Sequence, residues 1–113
     1  INNMSIDEVL EQISAKAEEQ GSVANDLNAR YTFDIKDKEE KSFSLIFENG
    51  QALVKEGSID DANCELTMNA KNFKRLLIGD LNATNAFMTR RLKLKGNIGD
   101  ALKLEQALKN YSF

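Results

Sequence analysis

Side chains able to do chemistry are scarce in this sequence. The chain has 113 residues, with no histidine, no proline, no tryptophan and one cysteine, Cys64. Without imidazole there is no Ser-His-Asp relay, no histidine-bound metal and no proton shuttle working near neutral pH. A lone cysteine excludes an intrachain disulfide or a cysteine-rich zinc site, so nothing calls for an oxidising compartment. Cys64 runs in phase with Leu66 and Met68 and reads as a small core residue rather than a nucleophile. The adjacent pairs Glu39-Glu40 and Asp60-Asp61 would suit acid–base chemistry only if buried. Both stand among lysines or turn formers, so they read as solvated turns. Gly96-Asn97-Ile98-Gly99 matches the G-x-x-G of KH domains, yet it follows an apparent strand and reads as the turn into a helix. No catalytic residue, metal or cofactor is expected.

Charge is distributed unevenly. The net charge is -3 and the isoelectric point about 5.0, which argues against nucleic acid as a partner. Between Lys71 and Lys95, however, seven cations face Asp80 alone. Arg91, Lys93 and Lys95 alternate with Leu92 and Leu94. One reading is an edge strand that its lysines protect from mispairing. The other adds Lys71, Lys74, Arg75 and Arg90, making a docking surface for anionic headgroups or membranes, with Arg90, Arg91, Lys93 and Lys95 as its candidates.

The elements that must position these groups follow from periodicity. Ser5 and Glu8 have capping-box spacing, with Met4 and Val9 as a hydrophobic staple. Ile6, Val9, Leu10, Ile13 and Ala17 then recur at helical spacing up to Gly21. Tyr31, Phe33 and Ile35 alternate with polar residues, as do Phe43, Leu45 and Phe47, and the Asn49-Gly50 turn predicts a hairpin. A third strand is expected around Ala52 to Lys55 and a fourth at Cys64 to Asn69. Asn69 and Asn82 cap two short helices, the first stopped by Gly79. Arg91 to Lys95 makes a fifth strand, and a final helix carries Ala101, Leu102, Leu104, Ala107 and Leu108. Strands followed by helices, with short connections, predict an α+β fold with a largely antiparallel sheet. Residues 4–113 are expected to form one domain, the first three residues reading as a remnant ahead of a start at Met4. No secretory signal or membrane span is apparent, so a cytoplasmic protein is expected.

The stretch Asn82 to Asn97, N-A-T-N-A-F-M-T-R-R-L-K-L-K-G-N, resembles the signature of sterol carrier protein 2 domains. Members of that family carry a similar A-F-M-x-G-K-L-K-I-K-G-[DN] stretch before a C-terminal helix. The hairpin, the strand ending in Thr67-Met68-Asn69 and the helix with Phe73 fall in family order, so the resemblance spans about Ser5 to Leu108. It implies a five-stranded sheet covered by helices, with an apolar cavity that holds a fatty acid, acyl-CoA or sterol-like lipid without changing it chemically. On matching positions it implies lipid contact by Phe73, Leu76, Leu77, Phe87, Met88, Leu102 and Leu108. Two positions depart from the pattern: Ala83 stands where relatives often have proline, and Arg90 where they often have glycine. The alternative reading is an accessory module of the same fold that binds a protein partner or enzyme and carries no lipid.

Overall fold

A computed structural model of the chain describes residues 1–21 and 27–113. Helix α1 (Ile6–Gln20) begins at Ser5, whose hydroxyl accepts from the Glu8 amide while Glu8 accepts from the Ser5 amide. This reciprocal pair satisfies two of the free amide donors at the helix start. Those hydrogen bonds also hold the exposed Glu8 carboxyl below its ordinary pKa. Met4 is partly buried against the core and Val9 fully buried.

Five strands form one mixed sheet: β1 (Ala29–Lys36), β2 (Lys41–Glu48), β3 (Gln51–Glu56), β4 (Cys64–Asn69) and β5 (Lys93–Gly96). Their order is β3-β2-β1-β4-β5, with β1 and β4 parallel and the other three pairs antiparallel. Asn49 and Gly50 both take positive φ between β2 and β3, as a two-residue hairpin turn requires. Tyr31, Phe33, Phe43, Leu45, Leu66 and Met68 point to one face and are buried there.

The other face differs from the simple alternation expected. Thr32 and Ser44 are almost completely buried, because the β3–β4 connection crosses over them to reach the parallel position. Their hydroxyls meet at 3.0 Å; Ser44 donates to the Gly57 carbonyl and Thr32 accepts from the Ile59 amide. A crossing backbone needs polar partners when buried, and these two side chains supply them.

Helices α1, α2 (Ala70–Leu77), α3 (Ala83–Met88) and α4 (Ile98–Lys109) complete the fold. Asn69, Asn82 and Asn97 each cap a helix through the side-chain oxygen. The ends of α2 and α3 use the same device with different residues. After α2, the Gly79 amide donates to Leu76 and the Asp80 amide to Arg75. After α3, Arg90 donates to Phe87 and Arg91 to Ala86. Both pairs form a Schellman motif, whose key residue must be left-handed: Gly79 has φ 80° and Arg90 has φ 62°. Glycine takes that conformation freely, whereas a residue with Cβ is strained there. Arg90→Gly should therefore raise unfolding free energy by about 1 kcal/mol, and Gly79→Ala lower it by about 1 kcal/mol. Shifts of the denaturation midpoint in opposite directions, without a change of slope, would check this pair.

Candidate lipid-binding site

The expected lipid-contacting residues fall into two groups. Phe73, Leu76, Leu77 and Leu108 are buried. Phe73 of α2 meets Phe33 and Phe43 edge-on, each at 5.3 Å, while those two rings stack at 5.1 Å across β1 and β2. Leu108 of α4 borders an apolar crevice of about 10 Å³ together with Ile13, Leu45, Phe47, Val54 and Tyr111, room for roughly one water molecule. Phe87, Met88 and Leu102 instead reach the surface, with 40%, 73% and 40% of their area exposed.

These exposed side chains concentrate at one place. Among the described residues six large apolar side chains are exposed, and Phe87, Met88, Ile98 and Leu102 belong to α3 and α4. The two helices pack together, with the Ala83 amide donating to Glu105 Oε1 at 2.6 Å. Ile98 and Leu102 precede Glu105 by seven and three positions, which puts all three along one flank of α4. An apolar rim thus borders the α3–α4 seam, next to α2, which packs against α4 and carries Phe73 onto the buried aromatic layer of the sheet.

Three hydrogen bonds fix this part of the helix layer. The Tyr31 hydroxyl, on the central strand, donates to the Asp100 carbonyl at 2.7 Å, tying the start of α4 to β1. Burial pushes the Tyr31 pKa well above its ordinary value, aided by Asp100 and Cys64. Near the other end of α4, the Tyr111 hydroxyl donates to the Gly21 carbonyl at 2.7 Å. The third is the Ala83–Glu105 bond, whose carboxylate is buried and also lies 3.3 Å from Lys109 Nζ. Ala83 is the first residue of α3, where an amide has no partner inside the helix. Proline fits that position sterically but lacks the donor, so the alanine and the buried glutamate belong together. Periodicity gave no sign of Glu105, which sits on the buried face of α4.

Cationic candidates are dispersed. Arg90 and Arg91 lie at the α3–β5 turn. Lys93 and Lys95 pair with Thr67 and Glu65 on the face away from the helices, and Lys95 lies 3.7 Å from the Glu65 carboxylate. Lys71, Lys74 and Arg75 border a separate hollow of about 660 Å³ on α2, where Lys74 donates to the Met4 carbonyl and Arg75 to Asp80. The seven basic residues do not form one surface. Glu40 pairs with Lys36 and Asp61 with Arg30, both in exposed loops. Cys64 is buried, and burial, then Asp100 and Glu65, push its thiol up to about 11, which keeps it protonated at neutral pH. Among the described residues no group of three acidic, cysteine or histidine side chains could hold a metal, and no helix is long and apolar enough to cross a membrane.

A five-stranded mixed sheet with four helices among the described residues defines a domain of α+β class. Residues 6–109 match the model of the SCP-2 sterol transfer family, and the chain belongs to that family. It is 32% identical over 101 residues to human sterol carrier protein 2, covering 86% of this chain and 18% of that protein; the chain thus spans about a fifth of that relative's length. It is 31% identical to the fatty acid-binding protein of Yarrowia lipolytica over 104 residues, covering 85% of this chain and 78% of the relative. The apo structure of sterol carrier protein 2 from Yarrowia lipolytica superimposes with a TM-score of 0.65 at 30% identity, covering 93% of this chain and 80% of that one.

The Ala83–Glu105 pairing is directly testable. Ala83→Pro alone should lower unfolding free energy by about 1–2 kcal/mol, because the buried carboxylate loses its donor. In a Glu105→Leu background the same proline should be neutral or stabilising. A double-mutant cycle in urea measures the coupling.

Proposed function

We propose that this domain binds a lipid with an aliphatic chain and carries it between membranes without altering it chemically. The observation that carries the reading is the concentration of exposed apolar side chains on α3 and α4, the two helices packed beside one another. Such a rim offers an aliphatic chain a place to enter between the two helices. The chain would lie against Phe73, Leu76, Leu77 and Leu108, while Phe87, Met88 and Leu102 close over it. Phe73 and Leu108 are tightly surrounded, so loading requires the helix layer to part from the sheet by about the width of a methylene chain. Helix α3 is the natural element to move, being six residues long and held to α4 at its start through Glu105.

Energetics favour such an exchange. Each methylene removed from water contributes ~0.8 kcal/mol, so a long acyl chain offsets the displacement of a short helix. The names of two relatives, a sterol carrier protein and a fatty acid-binding protein, support fatty acid, acyl-CoA or a sterol-like molecule as the cargo. The proposed setting is cytoplasmic, with transient contact at an anionic membrane surface at delivery.

Native mass spectrometry with palmitate, palmitoyl-CoA and cholesterol offered separately tests the reading. It predicts a one-to-one adduct with at least one of them, and an apo mass under excess of all three would overturn it. Leu102→Asp should weaken uptake roughly tenfold, the loss expected when one leucine contact is replaced by a charge. Its thermal midpoint should stay close to that of the parent, since Leu102 is already exposed in the unliganded domain.

A further inference from the structure

Strand β3 ends the sheet on the side away from β5 and turns alternate backbone groups outward. The two-residue turn pairs Glu48 with Gln51, and just past β3 the Gly57 amide donates to the Ser42 carbonyl. Hydrogen-bonded pairs alternate along an antiparallel ladder, so Gln51, Leu53 and Lys55 bond to β2. The amides and carbonyls of Ala52, Val54 and Glu56 therefore point away from the sheet. Among the described residues no hydrogen bond reaches them. An unpaired edge is a template for another strand, which proteins ordinarily block with short strands, lysines or proline. The β5 edge is blocked in this way, having four residues of which two are lysine. Strand β3 has six residues, no proline and a single lysine, and its Leu53 is 58% exposed.

Helix α1 walls a groove along this edge. It packs against β3, with Ala52 and Val54 on the side of the strand that meets the core. One hollow of about 650 Å³ lies between Glu11, Ser14 and Glu18 of α1 and Val54 and Glu56 of β3. A second, of about 480 Å³, runs from Ser14 and Glu18 to Ala52 and Leu53. Ala52 and Leu53 point to opposite faces of the sheet, so this hollow wraps around the strand edge. Asp7, Glu11 and Glu18 are spaced by four and seven, which makes one acidic stripe on α1. Among the described residues Glu11, Glu18 and Glu56 have no cationic partner, whereas Asp7 meets Lys41 at 3.4 Å. A strand added to β3 would set alternate side chains against those free carboxylates and the others against Leu53. A second copy of β3 would bring the carboxylates of α1 against their own image, so charge disfavours it. We infer that the β3 edge is a docking site for an extended segment of another protein in which basic side chains alternate with apolar ones. Ala52, Val54 and Glu56 supply the main-chain hydrogen bonds, and Glu11, Glu18 and Glu56 select the charge. The α3–α4 seam takes no part, so the inference stands independently of the carrier reading.

The probe is a blocked peptide of about seven residues, within the ordinary range of strand lengths, in which lysine and valine alternate. Its counterpart has glutamate in place of lysine. Amide hydrogen exchange followed by NMR reads each residue of β3 separately. In the free protein the amides of Ala52, Val54 and Glu56 should exchange fast and those of Leu53 and Lys55 slowly. The basic peptide should slow the first set, and the acidic peptide should leave it unchanged. Val54→Pro removes one outward donor without touching the ladder to β2, so it should abolish peptide binding while circular dichroism shows the fold retained. The double variant Glu11→Lys with Glu18→Lys alters only exposed positions of α1 and keeps the test decisive whether or not the proline variant folds. It should weaken binding of the basic peptide roughly tenfold, as expected for reversing two surface charges, and raised salt should act in the same direction. Unchanged exchange under a large excess of basic peptide, equal protection by the acidic peptide, or undiminished binding to the charge-reversed variant would overturn the inference. Slow exchange of the same three amides without peptide, deepening with protein concentration, would assign the edge to a second copy and overturn it as well.

Discussion

Three phenylalanines hold the layers together. Phe33 and Phe43 stack across the β1–β2 ladder, and Phe73 of α2 meets both rings edge-on. Aromatic contacts of this kind add to the large area each ring removes from water. All three side chains are fully buried, so the position of α2 over the sheet is over-determined. Helix α1 is seated separately, with Ile6, Val9, Ile13 and Ala17 buried and its contacts on β3. Helix α4 relies on its buried leucines and alanines, with the Tyr31 and Tyr111 hydroxyls securing its two ends. Helix α3 buries only Ala83 and Ala86. Its own ends rest on the Glu105 carboxylate and on an arginine in a left-handed conformation.

This gradient of anchorage links stability to the proposed activity. A carrier needs a rigid part to keep its fold while empty and a weakly attached part that can yield to a ligand. The sheet with α2 supplies the first. In that reading helix α3, short and poor in buried area, supplies the second, and α3 and α4 carry four of the six exposed large apolar side chains among the described residues. The strain at Arg90 fits the same division, since it lies where the loosely held helix joins β5. In the proposed carrier, loading would trade a small helix–helix contact for a larger chain–protein contact, which the ~0.8 kcal/mol per buried methylene favours.

Much of this fold is legible in the sequence because local rules and tertiary packing agree. Asparagine caps marked the starts of α2 and α3, and Asn-Gly fixed the β2–β3 turn with both residues at positive φ. The alternation of Tyr31, Phe33 and Ile35 set the buried face of β1. What periodicity could not give was anything depending on a long-range crossing. The parallel β1–β4 pairing requires the β3–β4 connection to pass over Thr32 and Ser44, which read as solvent-facing until that path is known. Glu105 was equally hidden, since a buried acid is recognisable only by its partner, here the amide freed at Ala83. The candidate lipid residues show a further limit. Helical spacing cannot separate Leu77, which is buried, from Leu102, which is exposed; both are apolar residues on helices, and only the packing of α3 beside α4 distinguishes them.

The central claim is that an acyl chain lies beneath the α3–α4 seam against the buried layer. The most direct measurement is NMR of the protein with uniformly carbon-13-labelled palmitate, read through intermolecular nuclear Overhauser effects. The account predicts cross-peaks from chain methylenes to the Leu76, Leu77 and Leu108 methyls and the Phe73 ring, with Met88 and Leu102 seen from one end of the chain. A chain that contacts only surface residues, or one that contacts the hollow formed by Lys71, Lys74 and Arg75 and never reaches the Phe73 layer, would contradict it.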